Sequence, residues 1–203
     1  MLKKRIVAGL IALMPAALMQ AYPLPDGNMQ VLKGSEGWFV GTGVGAQLYV
    51  GDSDGKQDFG YRISAMAEVD AGKWITPTMA LRFQAVGARA TGGSISGKED
   101  AMNLMHFHVD FLADVLALLA KRDVSSFYAP LPFVGVGFAM TDLKKRNCAT
   151  LTVGLLNRFN INEHIDLNLE LKGTLLSDKM DGFVGGCSGE GTAMLSAGFT
   201  YKF

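Results

Sequence analysis

The chain is short of proline, of charge and of any long apolar segment. Proline occurs six times against 25 glycines in 203 residues, a balance that suits short strands and tight turns better than helices. Charged residues make up only 19%, below the usual quarter. The 19 basic and 19 acidic side chains cancel, so no surplus of positive charge points to nucleic acid. No uninterrupted apolar run reaches the roughly 18 residues that a membrane-spanning helix needs. The length suits one domain.

One apolar run does stand at the N-terminus. Lys3, Lys4 and Arg5 precede Ile6 to Met19, with Ala16, Ala17 and Ala21 as small residues near its end. That is the form of a secretory signal peptide over 1–21, cleaved after Ala21, the alternative being an N-terminal anchor helix. Its removal would leave 16 basic against 19 acidic residues. Tyr22 to Gly37 is polar, turn-rich and without period, and reads as a short periplasmic leader.

From Trp38 onward the apolar pattern has period two, the spacing of one face of a strand. At the C-terminus Ala193, Leu195, Ala197, Phe199, Tyr201 and Phe203 share one face, and Thr192, Met194, Ser196, Gly198, Thr200 and Lys202 the other. The same test places strands at 38–50, 61–74, 79–90, 103–113, 128–141, 148–159, 165–175 and 192–203. Strands of this length can cross a bilayer when tilted, and an even number returns both ends to one side. The expected fold is all-β, an eight-stranded antiparallel up-and-down transmembrane β-barrel over 38–203. Outer loops are expected near 51–58, 91–102, 143–148 and 176–191, with periplasmic turns near 75–78, 114–126 and 160–164. DVLALLAK, within 114–126, reads either as a turn of helix at the membrane surface or as extra strand.

Alternation alone does not say which face meets lipid, since soluble barrels alternate too; the amounts do. One set of positions collects Arg62, Arg82, Arg158, Lys172 and Lys202 with Glu68, Asp70, Asp110, Asp114, Asp166 and Glu170, among many small residues. The other is almost wholly Leu, Val, Ile, Phe, Met and Ala, with Trp38, Phe159, Tyr201 and Phe203 near strand ends, where a membrane aromatic girdle sits. A soluble barrel would have to expose that apolar face to water, far beyond ordinary patches. The charged set, with His106 and His108, is therefore expected to form a paired network filling a narrow lumen. An eight-stranded barrel has an interior just wide enough for side chains, so appreciable conductance is not expected.

Signal peptide, eight strands and a terminal Phe203 after Phe199 and Tyr201 resemble the OmpA-like family of small outer-membrane β-barrels. The GKW-x-TP stretch (Gly72, Lys73, Trp74, Thr76, Pro77) with Leu81 and Arg82 is similar to a subgroup of that family. The resemblance covers nearly the whole chain after the signal segment. It implies that Phe203, with Tyr201, belongs to the signal read by the barrel-assembly machinery, and that periplasmic chaperones escort the chain. Many members continue into a peptidoglycan-binding domain; here the chain ends with the barrel, and that tethering role is expected to be absent.

Three constellations invite chemistry. His106, His108 and Asp110 alternate on one strand face, where two histidines can chelate and Asp114 or Glu170 assist; the simpler account makes them hydrogen-bonding members of the lumenal network. Cys148 and Cys187 both fall at the outer end, able either to close a disulfide or to remain separate thiols. A lipid-acyl hydrolase or transferase would need a nucleophile, a base and an orienting acid near the outer interface, but His106 and His108 point inward and His164 lies in a periplasmic turn. The glycines of GTGVG (41–45) and GVG (135–137) read as lumenal spacers rather than phosphate cradles, because no helix follows either. The sequence thus points to a non-enzymatic outer-membrane barrel without cofactor, contributing to envelope structure, with lipid as its surroundings. The alternatives are binding of an unidentified surface or lumenal ligand and, further off, a small pore or a lipid-modifying enzyme.

Overall fold

The computed structural model describes residues 37–50, 63–93, 99–120, 127–141, 146–176 and 190–203, with backbone alone for 49–50, 90–93, 99–102, 120, 141, 146 and 190. The proposed signal peptide and leader up to 36, Arg62 and Cys187 lie outside the described residues.

The period-two segments form eight strands: β1 Trp38–Val50, β2 Ile63–Thr76, β3 Met79–Gly93, β4 Glu99–Ala113, β5 Tyr128–Thr141, β6 Arg146–Asn160, β7 Ile165–Leu176 and β8 Glu190–Lys202. Each pairs with its sequence neighbours, and β1 pairs antiparallel with β8 to close the barrel. Closure lets the wall pair its backbone N–H and C=O groups from within, which a strand in hydrocarbon requires. The register sets outward residues beside outward ones, as in Val40 opposite Tyr201 and Ala46 opposite Leu195 across the seam.

The two faces separate as the alternation requires. Along β7 Ile165, Leu167, Leu169, Leu171 and Leu175 are exposed, whereas Asp166, Glu170, Lys172 and Leu176 are buried. That is the inverse of a water-soluble sheet and is the arrangement of a barrel whose outside solvent is lipid. Aromatic side chains ring the end that holds Gly37 and Phe203: the Phe127 and Phe159 rings lie 6.0 Å apart, Tyr128 and Phe159 5.2 Å, and Tyr201 and Phe203 5.2 Å.

Three features differ from expectation. β3 and β4 extend to Gly93 and Glu99, so that most of the loop expected over 91–102 is ladder, with Thr91 opposite Ala101 and Gly93 opposite Glu99. β6 likewise starts at Arg146, opposite Thr141. In both hairpins backbone pairing carries on through residues of low strand propensity, because a ladder already in register outweighs it. The third difference concerns the lumen, which is far less uniformly small and polar than the sequence suggests. Phe39, Leu112, Leu131, Phe133 and Leu156 form a buried cluster with Trp74 against it; Met66, Val86 and Met194 form a second; Leu104, Ala139, Cys148 and Leu176 form a third. A barrel this narrow packs its interior as a core.

The connection after β4 resolves as helix: α1 spans Val115–Ala120. Asp114 starts it as an N-cap, accepting the Ala117 N–H at 2.9 Å through Oδ1 while its carbonyl accepts the Leu118 N–H at 3.0 Å, the role in which a short carboxylate side chain is favoured. In the 161–164 turn, Asn162 Oδ1 accepts from the N–H groups of His164 (2.9 Å) and Ile165 (2.8 Å), a side chain standing in for backbone. Gly37 has φ 78°, a conformation that favours glycine, and its carbonyl accepts the Trp74 N–H at 2.9 Å.

Leu171, six residues into β7 and 52% exposed, stands about 15 Å above the Ile165 rim at ordinary strand rise and tilt. Leu171→Arg is expected to cost about 2–4 kcal/mol and Ile165→Arg about 0–1, measured by guanidinium unfolding from lipid vesicles. Equal costs at the two depths would contradict a lipid-facing β7.

A buried ion cluster in the lumen

Arg82 on β3 is the centre of the candidate site. It faces Asp110 across the β3–β4 ladder, to which Nε and Nη2 donate at 3.0 and 2.8 Å, both to Oδ2. Nη1 reaches across the lumen to Glu170 Oε2 on β7 at 2.6 Å, with Nη2 to Oε1 at 3.3 Å. Beneath the ion pairs the guanidinium lies 4.7 Å from the Phe133 ring. Lys172, two residues along β7 on the same face, places Nζ 2.6 Å from Glu68 Oε2 and 3.0 Å from Glu170 Oε1, and also donates to Gln84 Oε1. Glu68 uses its second oxygen to accept Ser196 Oγ at 2.6 Å. Side-chain exposure is 2% for Arg82, 0% for Asp110, 3% for Glu170 and 0% for Lys172. Charges so far from water survive only with good pairing on several sides, and each of these four has at least two charged or polar partners.

Glycines make room for the cluster. A Cβ on Gly135 would meet Asp110 Oδ1, and one on Gly43 would come within 2.9 Å of Glu68 Oε1, which gives the spacer reading of GTGVG and GVG a physical basis. Asp70, Glu68, Glu170 and Asn168 line a small polar void beside Arg82, of about one water in size.

Among the described residues the ion pairs of the expected single network fall into three groups. Arg158 stands apart, its Nη2 3.8 Å from Asp114 Oδ2 and its guanidinium 5.0 Å from the Trp74 ring. Asp166 pairs with Lys202 Nζ at 2.8 Å near the aromatic rim. Strand shear separates these levels even though all the residues share one face.

His106 and His108 are both buried in the lumen and stack with centroids 4.5 Å apart and planes 26° from parallel. His108 Nδ1 bonds Asp110 Oδ1 at 2.5 Å, and His106 Nε2 bonds Thr150 Oγ1 at 2.8 Å. A metal bound to imidazole lies in the ring plane about 2 Å from nitrogen. Planes this close to parallel meet far from both rings, so the stacked pair does not converge on one ion. Among the described residues no cluster of three His, Cys, Asp or Glu could hold a metal. Each ring makes one hydrogen bond to the lumen lining.

Cys148 is buried in the apolar cluster with Leu104, Ala139 and Leu176. At the opposite end Phe203 is 68% exposed on the lipid side, and its N–H donates to the Trp38 carbonyl at 3.1 Å. Gln84, Ser196 and Thr150 complete the site and carry no charge to advertise them. Their inward parity, in line with Arg82, Lys172 and His106, was the available signal.

Two curated relatives from Porphyromonas gingivalis align with the chain. It is 31% identical over 180 residues to outer membrane protein 41, covering 81% of this chain and 46% of that protein. To outer membrane protein 40 it is 26% identical over 184 residues, covering 84% and 48%. The chain thus spans about half the length of the curated relatives it matches. Neisserial surface protein A superposes with TM-score 0.58 at 16% identity, over 84% of this chain and 100% of that one. No family model matches.

Removing one member of the cluster should expose its cost. Glu170→Ala strips a carboxylate from both Arg82 and Lys172, and is expected to destabilise the barrel by about 3–5 kcal/mol. The temperature at which the folded gel band converts to the unfolded one would fall accordingly. An unchanged conversion temperature would show that the cluster carries little of the stability.

Proposed function

We propose that this chain, an eight-stranded β-barrel similar to outer membrane proteins, is an OmpA-like barrel serving as a closed, non-enzymatic structural element of the envelope. The carrying observation is the ion cluster crossing the lumen, in which Arg82 and Lys172 on β3 and β7 bind Asp110, Glu170 and Glu68 on β4, β7 and β2. Ions have no easy path past side chains already held in mutual ion pairs, and the apolar clusters above and below would strip hydration from any ion entering.

The non-enzymatic reading draws support from where the histidines stand. His106 and His108 are committed to Thr150 and Asp110 inside the lumen. His164 lies in the 161–164 turn, its ring 5.9 Å from that of Tyr201. An acyl-transfer site needs a base next to a nucleophile at the lipid surface, and none of the three is so placed. Tyr201 and Phe203 remain our candidates for the assembly signal; they are exposed where an incoming partner would read them. Recognition of a surface ligand would fall to the expected outer loops, for which residues 51–62, 94–98, 142–145 and 177–189 lie outside the described residues.

Planar-bilayer recording tests the closed lumen. The purified barrel is expected to show no steady current, and the charge-balanced double variant Arg82→Ala/Glu170→Ala is expected to show resolvable openings. A large steady conductance of the unaltered protein would overturn the proposal.

A further inference from the structure

We infer that Arg89 on the outer face of β3 is a binding site for the phosphate of an outer-leaflet lipid. Of the strand side chains described, only Arg89 and Lys73 put a charge on the lipid-facing side. Their heights are unlike. Lys73 lies opposite Leu81 near the aromatic rim, its Nζ 5.5 Å from the Trp38 ring. Arg89 is eight residues beyond Leu81 along β3, about 20 Å higher at ordinary rise and tilt. Both side chains extend several ångströms toward water, so the two charged ends fall at opposite edges of an apolar band about 25 Å tall.

Arg89 is exposed, and no described residue offers it a hydrogen bond or an ion pair. Its neighbours on that face with described side chains are Asn103 directly across the ladder, then Gly87 and Met105 one step toward the membrane centre. None of these three is a carboxylate. A guanidinium at the boundary of a bilayer meets lipid phosphates, and its planar fork accepts them in bidentate fashion. Below Arg89 a Cβ on Gly87 would meet nothing within 4 Å. Gly87 with Ala67 and Ala85 therefore makes a low floor beside the taller Met105 and Phe107, on which the acyl chain of a lipid held at Arg89 would lie. The assignment to the outer leaflet rests on the orientation expected from the loops, with Phe203 at the periplasmic rim. Phosphate binding itself does not depend on that orientation.

Native mass spectrometry of the refolded full chain in detergent, titrated with bisphosphorylated lipid A, tests the site. Arg89→Gln is expected to weaken binding roughly fivefold, as loss of one cation at an anionic surface implies. Arg89→Lys should retain most of it, and lipid A stripped of phosphate should bind both forms equally. Unchanged binding by Arg89→Gln in a barrel that still runs as folded on gels would overturn the inference. So would equal losses for Arg89→Gln and Lys73→Gln, which would mark general attraction rather than a site. Displacement of the lipid by millimolar inorganic phosphate alone would reassign Arg89 to a free anion. Protease access to the loops of vesicle-embedded protein reads the orientation separately.

Discussion

Hydrocarbon accepts no hydrogen bonds, and the rest of this molecule follows from that. Each strand must find both its neighbours within the chain. The seam between β1 and β8, running from Phe39 opposite Lys202 to Val50 opposite Gly191, is where that condition is finally met. It makes the last strand indispensable, since without it β1 and β7 would each present an open edge to lipid. Once the wall is closed, a strand side chain has only two destinations, lipid or lumen, and the period of the backbone decides between them.

The lumen then has to be filled by what points inward. The ladder constrains only adjacent strands, so it leaves the cross-section of the tube free to flatten. Contacts across the interior remove that freedom. Lys172 holds Glu68, 104 residues away, and Arg82 holds Glu170, 88 residues away, tying β7 to β2 and β3 through the centre. Apolar clusters sit in the same interior, with Phe133 shared between the two kinds of filling as the ring beneath Arg82. Buried ion pairs are often no better for stability than apolar packing. Their distinctive effect here is directional, because a guanidinium that satisfies two carboxylates on different strands fixes where those strands stand.

Much of this was legible in the residues themselves. β7, with leucine alternating against Asp166, Asn168, Glu170 and Lys172, announces both its faces, and the aromatic end of β8 marks a rim. Strand ends were less legible because Gly92 and Gly93 signal a turn, whereas the ladder opposite Asp100 and Glu99 retains them. Inward apolar residues were passed over for a related reason: parity says which way Phe39 and Phe133 point but not what they meet. A cue existed in Gly72 and Gly154, where a Cβ would strike the rings of Phe39 and Phe133; large inward side chains are paired with inward glycines. Partners across the lumen were the least legible. Asp110 is Arg82's ladder neighbour, but choosing Glu170 over Asp166 as the distant partner requires the shear of the closed barrel.

The arginines show how the barrel sorts charge by two coordinates, parity and height. Arg82 points inward at mid-lumen and is held by two carboxylates. Arg158, also inward, lies nearer the aromatic rim against Trp74 and Asp114. Arg89 points outward and stands at the far edge of the apolar band. An inward charge is tolerated at any height provided partners surround it, whereas an outward one is tolerated only at the edges. This asymmetry holds the register from both sides at once. Slipping β7 by one residue would put Asp166, Glu170 and Lys172 into lipid, with a charge of the costlier cationic kind worth about 2–4 kcal/mol at mid-depth. The same slip would drive five large aliphatic side chains into an interior already filled around Phe133 and Arg82. Neither penalty needs the other, and a sequence that satisfied only one face would still be confined to this pairing.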